Sequence, residues 1–228
     1  MPATKQKVTA VIPVFNEEKT IKKVIAGVRP FCDEILAVIA KKSSDKTKEI
    51  VRSIGAEYII DQGFGKGNGM RLAISKVSSG IIVFIDADGS HIPKDIPKLV
   101  APIRQGRADM VIASRLLGGS EELHGDLNKS LRMIFSICIA QIINWRFHSS
   151  IMDTQNGFRA IDCNVAKKLD LKSNHTEIET EMVMKCLKNK CSILEVPSME
   201  LKRRFGESNI KLYRHGWRYV WTVIKNLF

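Results

Sequence analysis

Two aspartates separated by one small residue carry the clearest chemical signal in this sequence. Asp86 and Asp88 flank Ala87 in the segment IDADGSH, where an apolar run ends at an exposed turn. Neighbouring carboxylates repel each other unless a cation lies between them. Mg²⁺ or Mn²⁺ held by one or two carboxylates commonly takes its other ligands from substrate phosphates. The alternative is a turn that uses aspartate for local hydrogen bonds. The pattern therefore predicts a divalent metal site or a tight turn.

A glycine-dense segment, QGFGKGNGM, is a second candidate. It holds Lys66 between Gly65 and Gly67. It does not match the dinucleotide fingerprint, because Met70 stands where glycine is required, and it does not match the Walker pattern, because Gly67 follows the lysine. A loop that presents one lysine to a phosphate and a plain loop are both compatible with this segment.

Basic residues supply further candidate phosphate contacts. Residues 202–211 read KRRFGESNIK, in which Arg203 and Ser208 lie close to a glycine. A guanidinium beside a glycine turn and a hydroxyl suits phosphate oxygens, although a solvated basic loop has the same composition. Arg115 follows a predicted strand and is a further cation expected at the ligand-binding edge of the sheet.

The C-terminal residues 212–228 predict an aromatic, basic helix. Aromatic and apolar residues recur at spacings of three or four, and Arg214, Arg218 and Lys225 lie alongside them. This pattern is typical of a helix lying in a membrane interface. A helix packed on the core and the beginning of a membrane segment are the two alternatives. The apolar positions are Tyr213, Trp217, Val220, Ile224 and Phe228.

Alternating strands and helices position these candidates. Strands are predicted over 8–13, 34–40, 58–60, 81–86, 110–114 and 192–197. Helices are predicted over 47–54, 95–103 and 127–147, and a further helix begins near Asn68. Asn16 is predicted as the N-cap of a helix that ends at about Arg29. Thr176 and Glu179 are predicted to form the capping box of a helix that ends at about Asn189. This alternation predicts an α/β fold with a mostly parallel central sheet flanked by helices. Ligands of such sheets bind beyond the carboxyl ends of the strands.

Composition limits the possible classes of protein. The chain has 228 residues, 44% of them hydrophobic, which excludes a wholly disordered chain. A net charge of +12 suggests a polyanionic partner. No helix-turn-helix, zinc finger or RNP-like segment accompanies that charge, so nucleic acid is not the expected partner. Five cysteines without a CxxC pair indicate reduced thiols, and no signal peptide or complete transmembrane helix is expected.

Taken in order, nine segments resemble the family 2 glycosyltransferases, in particular the dolichyl-phosphate mannose and glucose synthases and their archaeal relatives. The segments are VIPVFNEEKTI, SSDKT, GKGNGMRLAI, FIDADGSHIP, ASR, DTQNGFRA, EIETEM, EVP and RRFGES. The resemblance implies a GT-A type nucleotide-binding fold, a nucleotide diphosphate sugar as donor, and Mg²⁺ or Mn²⁺. It leaves the choice between mannose and glucose open.

The resemblance also implies roles for individual residues. The expected catalytic residues are Asp88, Arg115, Asp153 and Arg203. Donor binding is expected from Pro13, Phe15, Glu17, Lys66, Gly67, Asp86, Ala87, Asp88, Gln155 and Ser208. The expected metal ligands are Asp86, Asp88 and Ser90, with Arg159 on the sugar–acceptor side and helix 127–147 near the lipid chain.

One segment departs from the family pattern. Ala40 and Lys41 stand where relatives usually carry an acidic pair that helps to recognise the base of the donor. The base of the donor is therefore open, and a catalytically silent membrane-docking module is a further alternative.

The resulting hypothesis is inverting transfer of a hexose to dolichyl or another polyprenyl phosphate. A phosphate acceptor is already anionic and needs no strong general base. The alternative is a hydroxyl acceptor in lipid-linked or surface glycan synthesis, with Asp153 as base. One domain is expected over 1–228, with a donor half at 1–115, an acceptor half at 116–210 and an amphipathic helix at 211–228. The expected location is cytoplasmic, at the surface of a membrane.

Overall fold

A mostly parallel sheet forms the centre of the protein, as predicted. Its strands are β1 (Val8–Val14), β2 (Glu34–Ile39), β3 (Glu57–Ile60), β4 (Ile81–Phe84), β5 (Met110–Ser114), β6 (Arg159–Asp162) and β7 (Ile193–Pro197). The computed structural model describes residues 6–121, 127–203, 205 and 212–227, and in these residues the seven strands form one sheet in the order β3-β2-β1-β4-β6-β5-β7. Only β6 runs antiparallel to its neighbours within that sheet.

Helices cover both faces of the sheet because alternate residues of each strand point to opposite sides. In β1, Ala10 and Ile12 join the core under α1 (Ile21–Val28), α2 (Thr47–Ser53) and α4 (Ile96–Arg104), whereas Val11 joins the core on the other face. That other core lies under α3 (Lys66–Lys76), α7 (Cys163–Lys168) and α8 (Ile178–Lys188).

Two long helices add a third, smaller core. Helix α6 (Leu127–Phe147) follows the short helix α5 (Arg115–Gly118), and α9 (Leu212–Leu227) is the last helix described. Both pack with α8 around a small apolar cluster. Its buried members are Ile139, Ile143, Met184, Tyr219 and Val223.

No helix among the described residues is both long and apolar enough to span a membrane. All five cysteines are free thiols, but only Cys163 and Cys186 are buried.

The predicted N-cap at Asn16 is wrong. Asn16 adopts a φ of 54°, and its side-chain oxygen accepts a hydrogen bond from the backbone of Ser44 at 2.9 Å. The next two backbone N–H groups donate to Thr47 Oγ1 and Asp45 Oδ2, so these residues stay in a loop and α1 begins only at Ile21. The SSDKT segment thus fixes the turn that follows β1.

The predicted capping box is also wrong. Helix α8 begins at Ile178, and its N-cap, Glu177, makes no side-chain capping bond. Thr176 Oγ1 accepts a hydrogen bond from the hydroxyl of Tyr219 at 2.8 Å, and Glu179 Oε1 pairs with Lys66 Nζ at 2.8 Å. Both side chains are therefore directed to tertiary contacts.

The sequence predicted no strand over residues 159–162, where the structure has β6. Arg159 begins β6 and is fully buried. Its guanidinium donates to the carbonyls of Thr154, Asn156 and Glu179, the last at 2.8 Å. The expectation that Arg159 lies on the sugar–acceptor side is therefore wrong, because the side chain holds α8 and the preceding loop to the sheet.

Candidate active site

The expected site residues converge at one edge of the sheet. Strands β1, β4, β5 and β7 end at this edge, and the antiparallel β6 begins there. Open α/β sheets bind ligands outside the carboxyl ends of their strands. The segments at this edge are 13–17, 86–90, 115, 153–158 and 198–203.

The turn after β4 is held by its own side chains and is less exposed than expected. Ser90 donates to Asp88 Oδ1 from its backbone at 3.0 Å and from its hydroxyl at 2.7 Å. The backbone of Asp86 donates to His91 Nδ1 at 3.2 Å, and the imidazole stacks on Phe158. Asp88 and Ser90 are both buried. Ser90 therefore orients Asp88, and its role as a metal ligand stays a prediction.

Basic side chains neutralise both aspartates. Lys66 Nζ lies 2.6 Å from Asp86 Oδ1, and Arg203 Nη2 lies 2.8 Å from Asp88 Oδ2. Burial alone would raise the pKa of Asp86, but the Lys66 ammonium, His91 and Arg203 together outweigh burial and lower that pKa to about 2. Burial would lower the pKa of Lys66, but Asp86 and Glu179 raise it. Both groups are therefore charged at neutral pH.

Glycines in the loop before α3 allow Lys66 to reach this position. Gly65 adopts a φ of 118°, which side-chain-bearing residues rarely adopt. Gly67 packs directly on the 173–175 segment, where a Cβ would lie 2.5 Å from the carbonyl oxygen of Ser173. Gly67 is buried in this contact and does not line the cleft described below. Its expected part in donor binding is therefore reduced to positioning the lysine.

Arg115 and Asp153 form a bidentate ion pair behind the site. Arg115 Nε and Nη2 lie 2.7 and 2.9 Å from the two carboxylate oxygens, which also accept backbone N–H groups of Arg115, Gln155 and Asn156. Burial would raise the pKa of Asp153, but Arg115 and these hydrogen bonds lower it. A fully bonded carboxylate with a lowered pKa is a poor general base. The geometry gives Asp153 a positioning role.

Two adjoining spaces open at this edge. A cleft of about 630 Å³ runs beside β1 and the Lys66 loop, and a polar cavity of about 80 Å³ adjoins it at Lys66, Asp86, Asp88 and Arg203. Four acidic and four basic side chains line the polar cavity. They are Asp86, Asp88, Glu179, Glu200, Lys66, Arg115, Arg132 and Arg203.

The structure brings most of the predicted residues to these two spaces. The cleft is lined by Pro13, Phe15, Glu17, Lys66, Asp86, Ala87, Asp88 and Arg203. The polar cavity adds Ser90, Arg115 and Gln155. Gly67 and Asp153 do not line either space, and Ser208 lies outside the described residues.

Four charged or aromatic residues of the cavity were not predicted as site residues. Glu179 had been assigned to a helix cap, and Arg132, Glu200 and Tyr219 lie in segments whose local pattern gives no sign of a site. Glu200 pairs with Arg115 at 3.6 Å and accepts a hydrogen bond from Ser120. Such residues are recognised only once the chain is folded, because their partners are distant in sequence.

Mg²⁺ or Mn²⁺ fits Asp86 and Asp88 when a substrate supplies further ligands. Among the described side chains, no group of three or more His, Cys, Asp or Glu could hold a metal ion. Two carboxylates are nevertheless a set on which Mg²⁺ binds when phosphates complete its shell. Gly157 keeps this place open, because a Cβ there would lie 2.8 Å from Asp86 Oδ2 and 2.9 Å from Lys66 Nζ. The donor set thus fits a metal shared with a diphosphate.

Comparison with known proteins identifies the family. The chain is 32% identical over 227 residues to an uncharacterized protein of Methanocaldococcus jannaschii, covering 96% of this chain and 92% of that protein. It is 24% identical over 216 residues to the dolichyl-phosphate hexose transferase of Haloferax volcanii, covering 94% and 91%.

Among solved structures, the chain is similar to glucosyl-3-phosphoglycerate synthase from Mycobacterium tuberculosis in complex with Mn²⁺, uridine diphosphate and phosphoglyceric acid. The TM-score is 0.75 at 19% identity, covering 97% of this chain and 78% of that one. This likeness confirms the predicted GT-A type fold. The family model described as glycosyl transferase family 2 matches residues 9–170. The chain therefore belongs to glycosyl transferase family 2, as its motifs predicted.

Proposed function

We propose that this glycosyltransferase transfers a hexose from a nucleotide diphosphate sugar to a polyprenyl phosphate such as dolichyl phosphate. The observation that carries the proposal is the polar cavity, where Arg115, Arg132 and Arg203 line the same small space as Asp86 and Asp88. Three guanidinium groups suit a phosphate acceptor, and the acidic pair suits a metal-bound diphosphate. The name of the Haloferax volcanii relative supports this acceptor class.

Each group has a distinct task in this proposal. Mg²⁺ or Mn²⁺ on Asp86 and Asp88 would offset the charge that the departing diphosphate gains. Lys66 holds Asp86 in place at 2.6 Å. Arg115 and Arg203 orient the acceptor phosphate behind the anomeric carbon, a positioning effect. A single displacement from that side inverts the configuration at this carbon.

A hydroxyl acceptor is the second candidate, and the geometry is less favourable to it. An alcohol must lose a proton to a general base, for which Asp153 was the expected residue. Asp153 is 1% exposed and both of its oxygens are bonded. A phosphate acceptor has a second pKa of about 6 and needs no base at neutral pH.

The halves expected from the sequence meet in this site. Lys66 and Asp88, from the proposed donor half, pair with Glu179 and Arg203 from the proposed acceptor half. We therefore assign the site to both halves. A third pocket, distinct from the polar cavity, lies next to the cleft and is lined by Ala40, Lys41 and Asp61. We propose this pocket for the base of the donor.

Lipid extraction after incubation with labelled donors tests this proposal. The donors are UDP-glucose, UDP-N-acetylglucosamine and GDP-mannose, each with Mn²⁺ and a polyprenyl phosphate. Label from one donor is expected in the lipid phase and is expected to be absent when EDTA is added. Label transferred to the matching polyprenol, but not to its phosphate, would support the hydroxyl acceptor. Absence of transfer from every donor would contradict both.

Replacing Gly157 with alanine tests the packing of the charged groups. The added Cβ must displace Asp86 or Lys66, both within 3 Å of it. A displacement of about 1 Å at a reacting centre costs up to about 100-fold in rate. We expect a 10- to 100-fold loss of transfer, measured as kcat, with little change in melting temperature. Transfer at the wild-type rate would show that the Asp86–Lys66 geometry is not critical.

A membrane surface is proposed as a partner because α6 and α9 each expose several large apolar side chains. Each helix buries one side in the core that they share with α8. Arg218 and Lys225 lie 5.7 and 5.0 Å from the rings of Trp217 and Trp221, as in interfacial helices. The exposed apolar residues are Leu131, Ile134, Ile137, Ile142 and Trp145 on α6, and Trp217, Val220, Trp221 and Ile224 on α9.

Replacing both tryptophans of α9, Trp217 and Trp221, with serine is expected to weaken binding to anionic vesicles by at least about tenfold. Each indole contributes about 1.5–3 kcal/mol when its apolar surface is buried. Cosedimentation with phosphatidylglycerol vesicles measures this effect. Leu194→Ser, on β7, is the matched control and is expected to bind like the wild type. Equal binding of all three proteins would exclude α9 from the contact.

A further inference from the structure

Two residues that line the polar cavity each carry a buried side-chain atom without a hydrogen-bond partner. Within the described residues, six buried side-chain atoms have no hydrogen-bond partner, and two of them belong to residues that line this cavity: Glu179 Oε2 and Gln155 Nε2. A buried polar atom without a partner costs about 1–3 kcal/mol. Two of them at one cavity indicate that a ligand supplies the missing hydrogen bonds.

The need to neutralise Lys66 does not explain why the Glu179 carboxylate is buried at this position. The ammonium of Lys66 already has Asp86 at 2.6 Å, and Glu179 reaches it with Oε1 alone, at 2.8 Å. Glu179 is 1% exposed, so its second oxygen is desolvated. The buried Arg159 guanidinium also offsets the charge of Glu179, but it donates its hydrogen bonds to backbone carbonyls. Glu179 Oε2 is therefore left without a donor, and a buried carboxylate is costly unless both of its oxygens bind something.

Both side chains are held on rigid supports. Arg159 donates to the carbonyl of Glu179 at 2.8 Å and fixes the first turn of α8 to β6. The backbone N–H groups of Gln155 and Asn156 donate to Asp153 Oδ1 at 3.2 and 3.1 Å. The two unpartnered atoms are therefore presented from preorganised backbone.

The chemistry of the pair selects its ligand. A carboxylate oxygen accepts a hydrogen bond and an amide nitrogen donates one, and a hydroxyl does both. A phosphate oxygen would be repelled by Glu179. The neutral, hydroxylated part of the donor is its sugar, which is bonded to the diphosphate proposed at Asp86 and Asp88.

We infer that Glu179 and Gln155 bind a hydroxyl group of the transferred sugar and thereby contribute to the choice of donor. This inference rests on the proposed function. The hydroxyl would donate to Glu179 Oε2 and accept from Gln155 Nε2. Both residues lie in the same cavity as the acidic pair, so the sugar would lie between the diphosphate and the acceptor cations.

Calorimetric titration separates sugar contacts from diphosphate contacts. The probes are UDP-glucose and GDP-mannose, compared with UDP and GDP, all with Mn²⁺. Glu179→Gln is expected to weaken binding of the preferred nucleotide sugar by about 10- to 100-fold, because a hydrogen bond to a charged group is lost. Binding of the corresponding diphosphate is expected to change less than threefold. Gln155→Ala is expected to show the same selectivity, and it carries the test if Glu179→Gln does not fold.

Glu177→Gln is the matched control. Glu177 is also buried with an unpartnered oxygen, and it lies two residues from Glu179, but it does not line the cavity. Its substitution is expected to leave both affinities unchanged. Equal weakening of sugar nucleotide and diphosphate by Glu179→Gln would overturn the inference, because Glu179 would then act on the diphosphate through Lys66. Unchanged affinities would also overturn it. A wild type that binds no nucleotide would overturn the proposed function itself.

Discussion

Asp88→Asn is expected to lower sugar transfer by about 100- to 1000-fold while leaving the fold intact. Asparagine keeps the size of the side chain and can still accept the hydrogen bonds from Ser90, but it removes the charge that pairs with Arg203 at 2.8 Å. A group that stabilises developing charge in a site from which water is excluded contributes about that factor to the rate. Transfer to polyprenyl phosphate, measured as kcat/KM, gives the effect.

The control for this substitution is Asp170→Asn. Asp170 is an exposed residue whose carboxylate pairs with Lys172 at the surface. An exposed ion pair of this kind contributes little, so transfer and melting temperature should match the wild type. If Asp88→Asn retained full metal-dependent transfer, the assignment of Asp88 to the diphosphate would be wrong.

Asp153→Ala is expected to lower the free energy of unfolding by about 3–5 kcal/mol. The substitution leaves the largely buried guanidinium of Arg115 with the longer, 3.6 Å pair to Glu200 in place of its bidentate partner, and breaking a buried ion pair costs about that amount. It also removes the acceptor for three backbone N–H groups. Urea unfolding followed by circular dichroism measures the change.

The double variant Arg115→Met with Asp153→Asn separates stability from activity. It removes both charges together, and the asparagine oxygen still accepts backbone N–H groups, so much of the lost stability should return. Sugar transfer should stay low because the cation that we propose for the acceptor phosphate is missing. A stable Asp153→Ala variant, or a double variant with normal transfer, would contradict the positioning role given to this pair.

The stability contributed by Asp153 has a defined pH dependence. Arg115 holds the pKa of Asp153 below its unfolded value of about 3.9. Its contribution is therefore complete above about pH 4 and is lost as the pH falls through the lowered folded value. The stability difference between the wild type and Asp153→Asn should be constant near neutral pH and narrow below about pH 4.

Strands and the acids at their ends could be predicted because their signals are local. Asp86 and Asp88 are separated by one residue and follow a run of apolar residues, so their shared position at the sheet edge needs no tertiary information. Helix 127–147 was predicted with the bounds that the structure shows, since it is a single long apolar segment. Family membership likewise follows from the order of short motifs.

Other features depend on contacts that the sequence does not display. The spacing of Thr176 and Glu179 fits a helix cap, and only the approach of Lys66 from a distant loop directs Glu179 into the site. Strand β6 runs antiparallel between β4 and β5, and the contacts that bury its first residue, Arg159, come from distant carbonyls such as that of Glu179. Asp153 resembled a free carboxylate because its partner, Arg115, follows another strand.

The central claim is that Asp86 and Asp88 bind the diphosphate of the donor through a divalent cation. A crystal structure of the protein with Mn²⁺ and the nucleotide diphosphate of its donor tests it most directly. We expect an anomalous manganese peak shared between these two carboxylates and the diphosphate oxygens. Nucleotide bound elsewhere, with the carboxylates still paired to Lys66 and Arg203 and no manganese beside them, would contradict the claim.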